Sequence, residues 1–397
     1  MKGTSTPIVA AALAVALLSP AGAATAAPGS FQHSWTVTAG EPDTLATGLV
    51  GPLRVAVGRG NTAYVSQNFG GQLTSVDRNG ALATLVDEPG IEVGGVSTHH
   101  GEVYFTESVG TNPGDLRPLA TTVKVIEKGK VRVLADLAAL ETANNYDEGT
   151  TYGFKDLPAR CAAKLPPELA PELLPHPGDI NSHPYATAVS NSGRYVYVAD
   201  AGANAVFTID TRSNTVTATV LEPVPTLITA ELVASISVGL KPSLPECLVG
   251  ETFIAEPVPT DIEIGPDGLL YLTTLQGSPE DPTLGTVRRL DPATGTEEVI
   301  TSGLTTSTGL ALDRRGNIFV AELYANRISI IPAGTNRAAP LLEAVLPADV
   351  EIDGKYLYAT TNAVPSDFEE PNGPEAPGDP EAPSGALVRA PLDYSRQ

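Results

Sequence analysis

Pro259-Thr260-Asp261-Ile262-Glu263-Ile264-Gly265-Pro266-Asp267-Gly268-Leu269-Leu270-Tyr271-Leu272 is the stretch that decides the fold. It reads as a short strand, a tight turn built from Gly, Pro and Asp, and a second strand carrying an aromatic. The same phrase runs from Pro52-Leu53-Arg54-Val55-Ala56-Val57 through Gly58-Arg59-Gly60-Asn61 to Ala63-Tyr64-Val65. Pro and Tyr are 12 residues apart in both copies (52 to 64, 259 to 271). Four more copies carry Tyr104, Tyr197, Phe319 and Tyr358 on the second strand. A hairpin that cannot bury both faces alone must stack on copies of itself, which is the mark of a propeller or solenoid. Third and fourth strands follow, as in Gln72-Leu73-Thr74-Ser75-Val76 and Ala83-Thr84-Leu85-Val86. The expected fold is all-β: a six-bladed β-propeller of four-stranded blades over residues 31–394.

A four-stranded blade needs about 40–50 residues. The intervals from Tyr104 to Tyr197 and from Tyr197 to Tyr271 are longer, so they carry insertions, at about 140–177 and 221–257. Both are Pro-rich, and each holds one of the two cysteines, Cys161 and Cys247. An even cysteine count in an oxidising compartment favours a bridge, and the two insertions flank the third blade on one rim. A Cys161–Cys247 disulfide is therefore expected, stapling loops with little core of their own. An N-terminal strand around Trp35 is expected to pair with Ala386-Leu387-Val388-Arg389 and close the ring. Other long connections, at 108–120, 276–284 and a flexible acidic loop at 363–384, share the rim of the insertions. Function is expected on that rim.

Lys2, the apolar run 8–18 and the small residues Ala21-Gly22-Ala23 or Ala24-Thr25-Ala26 read as a signal peptide over 1–26, cut near 23–27. The expected product is secreted and extracellular, without membrane insertion. A net charge of −22 opposes nucleic acid as a partner. A monomer is expected, binding a small molecule, a saccharide or a protein.

Phrases such as Val196-Tyr197-Val198-Ala199-Asp200-Ala201-Gly202-Ala203-Asn204 and Ile318-Phe319-Val320-Ala321-Glu322-Leu323-Tyr324-Ala325-Asn326 resemble NHL-type repeats. Through Thr151-Tyr152-Gly153-Phe154-Lys155-Asp156-Leu157-Pro158, Ser182-His183-Pro184-Tyr185-Ala186 and Glu256-Pro257-Val258-Pro259-Thr260-Asp261, the mature chain resembles the secreted ScyD/ScyE family of actinobacterial proteins. That resemblance implies a secreted six-bladed propeller and transfers no catalytic residues.

Candidate chemistry lies on the innermost strands. Asp261 and Glu263 alternate with Ile262 and Ile264, and Asp349 and Glu351 with Val350 and Ile352, so each carboxylate pair shares one side of its strand. Arg54 holds the matching place in the first blade. An ion-pair network that only fixes blade packing is one reading. The other is a ligand site, with Asp261 and Asp349 holding a divalent cation such as calcium. Glu107, Asp200 and Glu322 end second strands, where they serve turn bonds or line the rim. His183 opens the innermost strand of the third blade on the long-loop rim and can face a pocket. No HExxH, Gly-x-Ser-x-Gly or phosphate-loop motif is present. A binding module leads; the alternatives are a metal-assisted hydrolase or lactonase at the channel mouth, and an extracellular structural protein.

Overall fold

The computed structural model describes residues 35–111, 117–237, 243–278, 281–364 and 385–396. The expected signal peptide and residues 365–384 of the expected flexible loop lie outside them. The chain divides into a large unit, Val37–Asp393, and a small one made of residues 1–36 and 394–397.

The large unit is the six-bladed propeller that the repeats predict, each blade an antiparallel sheet. The innermost strands are Pro52–Val57, Glu92–His99, Pro184–Val189, Pro259–Ile264, Ser307–Leu312 and Val350–Asp353. Each packs on the next, and the sixth on the first, so the ring is closed. Second strands such as Leu270–Thr274 and Ile318–Glu322 are buried throughout, because neighbouring blades cover both faces. The core is accordingly a set of wedges between blades. Tyr104, Val198 and Phe207 fill the one between the second and third blades, Tyr197, Ile262 and Leu272 the next.

Close approach of the innermost strands requires glycine at two places. A Cβ on Gly95 would lie 2.6 Å from the Cα of Ala186 in the next blade, and one on Gly309 would collide with Asp349. Elsewhere the contacts are polar: Ser97 Oγ meets Thr187 Oγ1 at 2.8 Å, and Thr260 Oγ1 donates to the Ser307 carbonyl at 2.9 Å.

The N-terminal region closes the sixth blade, but with a different strand from the one expected. Asp43–Leu49 pairs with the C-terminal strand Gly385–Arg396, from Asp43 opposite Arg389 to Leu49 opposite Gly385. Trp35–Ala39 is a neighbour of the same C-terminal strand, further along, where the Gly40 N–H donates to the Pro391 carbonyl at 2.8 Å. Phase explains the difference. Ala46-Thr47-Gly48-Leu49 matches Thr301-Ser302-Gly303-Leu304 at the end of the fourth blade's outer strand, with Gly48 at φ 74° and Gly303 at φ 80°.

The two insertions do have a core of their own. Phe154, Cys161, Leu165 and Leu173 of the first pack with Ile228, Leu232, Leu248 and Phe253 of the second. Phe154 meets Phe253 edge to face at 5.0 Å, and Gly153 and Ile254 exchange backbone hydrogen bonds at 2.9 and 3.1 Å. Cys161 and Cys247 form the expected disulfide, with Cα atoms 5.9 Å apart.

Candidate functional site

Innermost strands begin just after a sharp reversal on the long-loop rim. Gly51, Val258, Thr306 and Leu346 make such reversals at φ 56°, 38°, 50° and 42°. Left-handed backbone costs a non-glycine residue roughly 1–2 kcal/mol, most for a β-branched one such as Val258 or Thr306. The strain is held by paired backbone bonds: Leu275 N–H donates to Val258 O at 3.0 Å, and Leu323 N–H to Thr306 O at 3.0 Å. Together with strand ends of the neighbouring blades, these reversals surround an axial cavity of about 450 Å³.

The walls are mainly apolar: Leu53, Val258, Leu275, Leu323, Ala348 and Val364, with Phe69 and Tyr324 also in the lining. Phe69 and Tyr324 are 41% and 53% exposed. The polar lining comprises Arg54, Asn181, His183, Tyr185, Thr260, Thr306 and Thr308. Thr308 Oγ1 is shielded from solvent and has no hydrogen-bond partner in the protein. A shallower depression of about 400 Å³ beside Leu137–Asn144 is lined by Leu, Ala and Thr around Asp136, whose carboxylate already caps the Ala139 N–H at 2.9 Å. It offers no convergent polar set.

His183 and Tyr185 stand together in the cavity, ring centroids 4.6 Å apart. Glu92 Oε1 lies 2.9 Å from His183 Nε2 and also accepts from Asn68 Nδ2 at 2.9 Å. Burial pushes the Glu92 carboxyl up, but the His183 hydrogen bond and charge, with Asn68 and Thr111, outweigh it and hold the group below its usual range. Tyr185 is pushed up to about 12 by burial, then by the Glu92 charge, against the pull of Arg54.

Arg54 forms the floor. Nε donates to Tyr185 O at 3.0 Å, Nη1 to Leu53 O at 2.9 Å and Nη2 to Thr260 O, and the guanidinium carbon sits 5.7 Å from the Tyr185 ring centre.

Asp261 and Asp349 come together, as their shared strand position suggests, but they do not line the cavity. Each accepts two backbone N–H groups, one across a blade boundary. Asp261 takes Leu310 N–H at 2.6 Å and Ile262 N–H at 2.8 Å; Asp349 takes Val55 N–H at 2.8 Å and Val350 N–H at 2.9 Å. Burial raises both pKa values, Asp349 further through the Asp261 charge, while Arg54 pulls both down. Two facing buried carboxyls cannot both ionise cheaply, and the Arg54 charge offsets part of that cost. Below them Glu263 is raised well above its usual value by burial and the Glu351 charge, and Glu351 to about 8 by burial first. This set does not fit a divalent cation. The carboxylate oxygens are engaged by amides, and a guanidinium stands beside them.

Asp200 and Glu322 are also outside the cavity lining. Asp200, fully buried, accepts from Ser182 Oγ and His183 N, both at 2.6 Å, and from the Gly202 and Ala203 amides at 3.1 Å. It positions the His183 backbone. Glu322 accepts from Arg327 Nε at 2.8 Å and Thr305 N at 2.8 Å, and Glu107 pairs with Lys124. Of the candidates, Arg54 and His183 reach the cavity; Tyr185, Phe69, Tyr324 and Thr308 were not singled out from the sequence. Tyr185 was detectable, since it sits two residues after His183 on an innermost strand.

No protein-family model and no curated protein matches the sequence. Solved structures do. A PQQ-bound aldose sugar dehydrogenase from Streptomyces coelicolor superposes with a TM-score of 0.52 at 12% identity, covering 91% of this chain and 99% of that one. A gluconolactonase from Xanthomonas campestris superposes at 0.51 with 11% identity, covering 90% and 91%. At such identities the likeness shows the propeller fold alone.

Proposed function

We propose that this chain is a secreted recognition module that binds a largely apolar, preferably aromatic, small molecule in the axial cavity on the long-loop rim. The observation that carries the reading is the lining itself: apolar walls and two exposed aromatics, with Arg54, Tyr185 and Thr308 as a small set of polar anchors. Among the partners weighed from the sequence, a saccharide would need many more hydrogen-bonding groups than this wall supplies. Arg54 and Tyr185 in the lining favour a ligand with a hydrogen-bond-accepting group at its inner end. The disulfide, the apolar run at 8–18 and the phrases shared with the ScyD/ScyE family support secretion and membership of that family.

A catalytic reading has one specific support, the His183–Glu92 pair on the cavity wall, a base held by a carboxylate. It needs no metal. Turnover of lactone or ester substrates that disappears in His183→Ala would favour it over binding alone.

The binding reading is tested by titrating 8-anilinonaphthalene-1-sulfonate, an anionic aromatic dye, into the mature protein. Saturable one-to-one enhancement is expected, lost in Ala201→Trp, which fills the cavity, and weakened in Tyr324→Ala. Equal enhancement in the filled variant would refute it.

A further inference from the structure

The structure points to a second site, and we propose that it is a buried calcium site formed by Glu141, Asn145 and Asp147 where the first insertion leaves the second blade. Glu141 is 0% exposed and Asp147 1% exposed. Both Glu141 oxygens, Asp147 Oδ1 and Asn145 Oδ1 are shielded from solvent and have no hydrogen bond of ordinary geometry among the described residues. Four such acceptors between residues 141 and 147 at a helix end, approached only by the Tyr146 and Asp147 amides, are the reverse of an ordinary buried polar network. Orphan donors and acceptors mixed together would satisfy one another; acceptors alone call for a cation or a proton.

The local fold gathers these groups. The helix Leu137–Asn144 ends with Asn145 in left-handed conformation, its N–H bonded to Glu141 O at 2.7 Å, which turns the chain back over the Glu141 side chain. The Tyr146 amide approaches the Glu141 carboxyl without reaching ordinary hydrogen-bond geometry. Asp147 is fixed by its other oxygen, which accepts from Tyr152 OH at 3.1 Å and from Asn204 Nδ2 at 3.0 Å. Asn145 donates from Nδ2 to Gly178 O at 2.9 Å, so its amide oxygen is the end left over. Gly178 must be glycine, because a Cβ there would overlap the Asp147 carboxylate.

The donor set selects the ion. Two carboxylates and an amide carbonyl are hard oxygen ligands, and no Cys or His joins them, which suits calcium rather than zinc or copper. The three side chains make part of a shell that water would complete, as calcium accepts. The surroundings add negative charge: Asp200 acts on Glu141, and Asp179 on Asp147 and Glu256, the last with His176 opposing. The site also bears on architecture. Asn204 of the third blade bonds both Asp147 and, at 3.3 Å, Glu256 at the end of the second insertion. An ion here rivets both insertions to the propeller.

The test uses the mature protein stripped with chelator and reloaded. Terbium is the probe, because Tyr146 lies beside the site and sensitises its emission, and calcium is the competitor. Expected are one terbium per chain, displacement by calcium, and at least a tenfold loss of affinity in Glu141→Gln and in Asp147→Asn. Asp261→Asn, in the channel, is expected to bind as wild type. Asn145→Ala, which removes one ligand and no charge, gives a folded control if the acidic variants lose circular-dichroism signal; a loss of affinity is expected there too. Three results would each overturn the proposal: no terbium or calcium binding by folded protein, unchanged affinity in folded Glu141→Gln or Asn145→Ala, or affinity lost in Asp261→Asn instead.

Discussion

Replacing both cysteines, Cys161→Ala with Cys247→Ala, removes a crosslink spanning 86 residues. In the chain-entropy description, a loop of that length restricts the unfolded chain by about 4–5 kcal/mol. The location decides how the loss is felt. Cys161 is buried in the shared core of the two insertions, with Leu165, Leu248 and Phe253, and not in the inter-blade wedges. The insertions are joined to each other by that core and a backbone bridge, and to the propeller mainly at their ends, by the Asp147–Asn204–Glu256 bonds, by Tyr146 on Phe207 and by Glu222 with Arg288 and Glu297. The expected outcome is therefore local. Hydrogen exchange should accelerate most in residues 153–173 and 228–255, while amides of the third blade's strands, Tyr195–Asp200 and Ala205–Asp210, keep their protection. Midpoint temperature should drop by on the order of 10 °C if the insertions unfold together with the propeller, and less if they open first. Uniform acceleration across all six blades, or unchanged exchange in the insertions, would refute the reasoning.

Two further outcomes come from the channel. Glu351 has a folded pKa of about 8 against an ordinary 4.5, so the unfolded state releases its proton first as pH rises. Below about pH 4.5 both states hold the proton and the group makes no difference; stability then falls with pH up to about 8, and Glu351→Gln should flatten that slope in urea titrations at several pH values. Gly309→Ala places a methyl group against Asp349 where two innermost strands meet, and should cost about 1–3 kcal/mol by denaturant midpoint, whereas Gly334→Ala, with open space around its Cβ and φ of 74°, should cost about 1 kcal/mol through backbone strain alone.

How legible was this in the chain? The blades were, because a hairpin phrase repeated with its aromatic and its turn residues is local information, and so was the disulfide. The closing strand was misplaced. The segment around Trp35 reads as a strand ahead of the first blade, but the Gly48-Leu49 ending that matches Gly303-Leu304 is the better guide. The core between the insertions was hidden because Phe154 and Phe253 are far apart in sequence and meet only after the third blade has folded between them. The cavity was half legible. Arg54 and His183 stood out by type at strand starts, but Phe69 and Tyr324 belong to short helical turns of the first and fifth blades, and nothing local says they share a mouth. The matching strand positions of Asp261 and Asp349 are visible in the repeats; that their oxygens are taken by the Leu310 and Val55 amides is a matter of inter-blade spacing that no single strand encodes.

Whether the axial cavity on the long-loop rim is where this protein meets its ligand is tested most directly by hydrogen-exchange footprinting with saturating 8-anilinonaphthalene-1-sulfonate. Protection is expected at residues 53–54, 183–185, 201–202 and 323–324, from three blades at once. Protection confined to the outer strands, around the exposed Leu82, Leu85, Val131 and Val133, with none at the channel mouth, would contradict it.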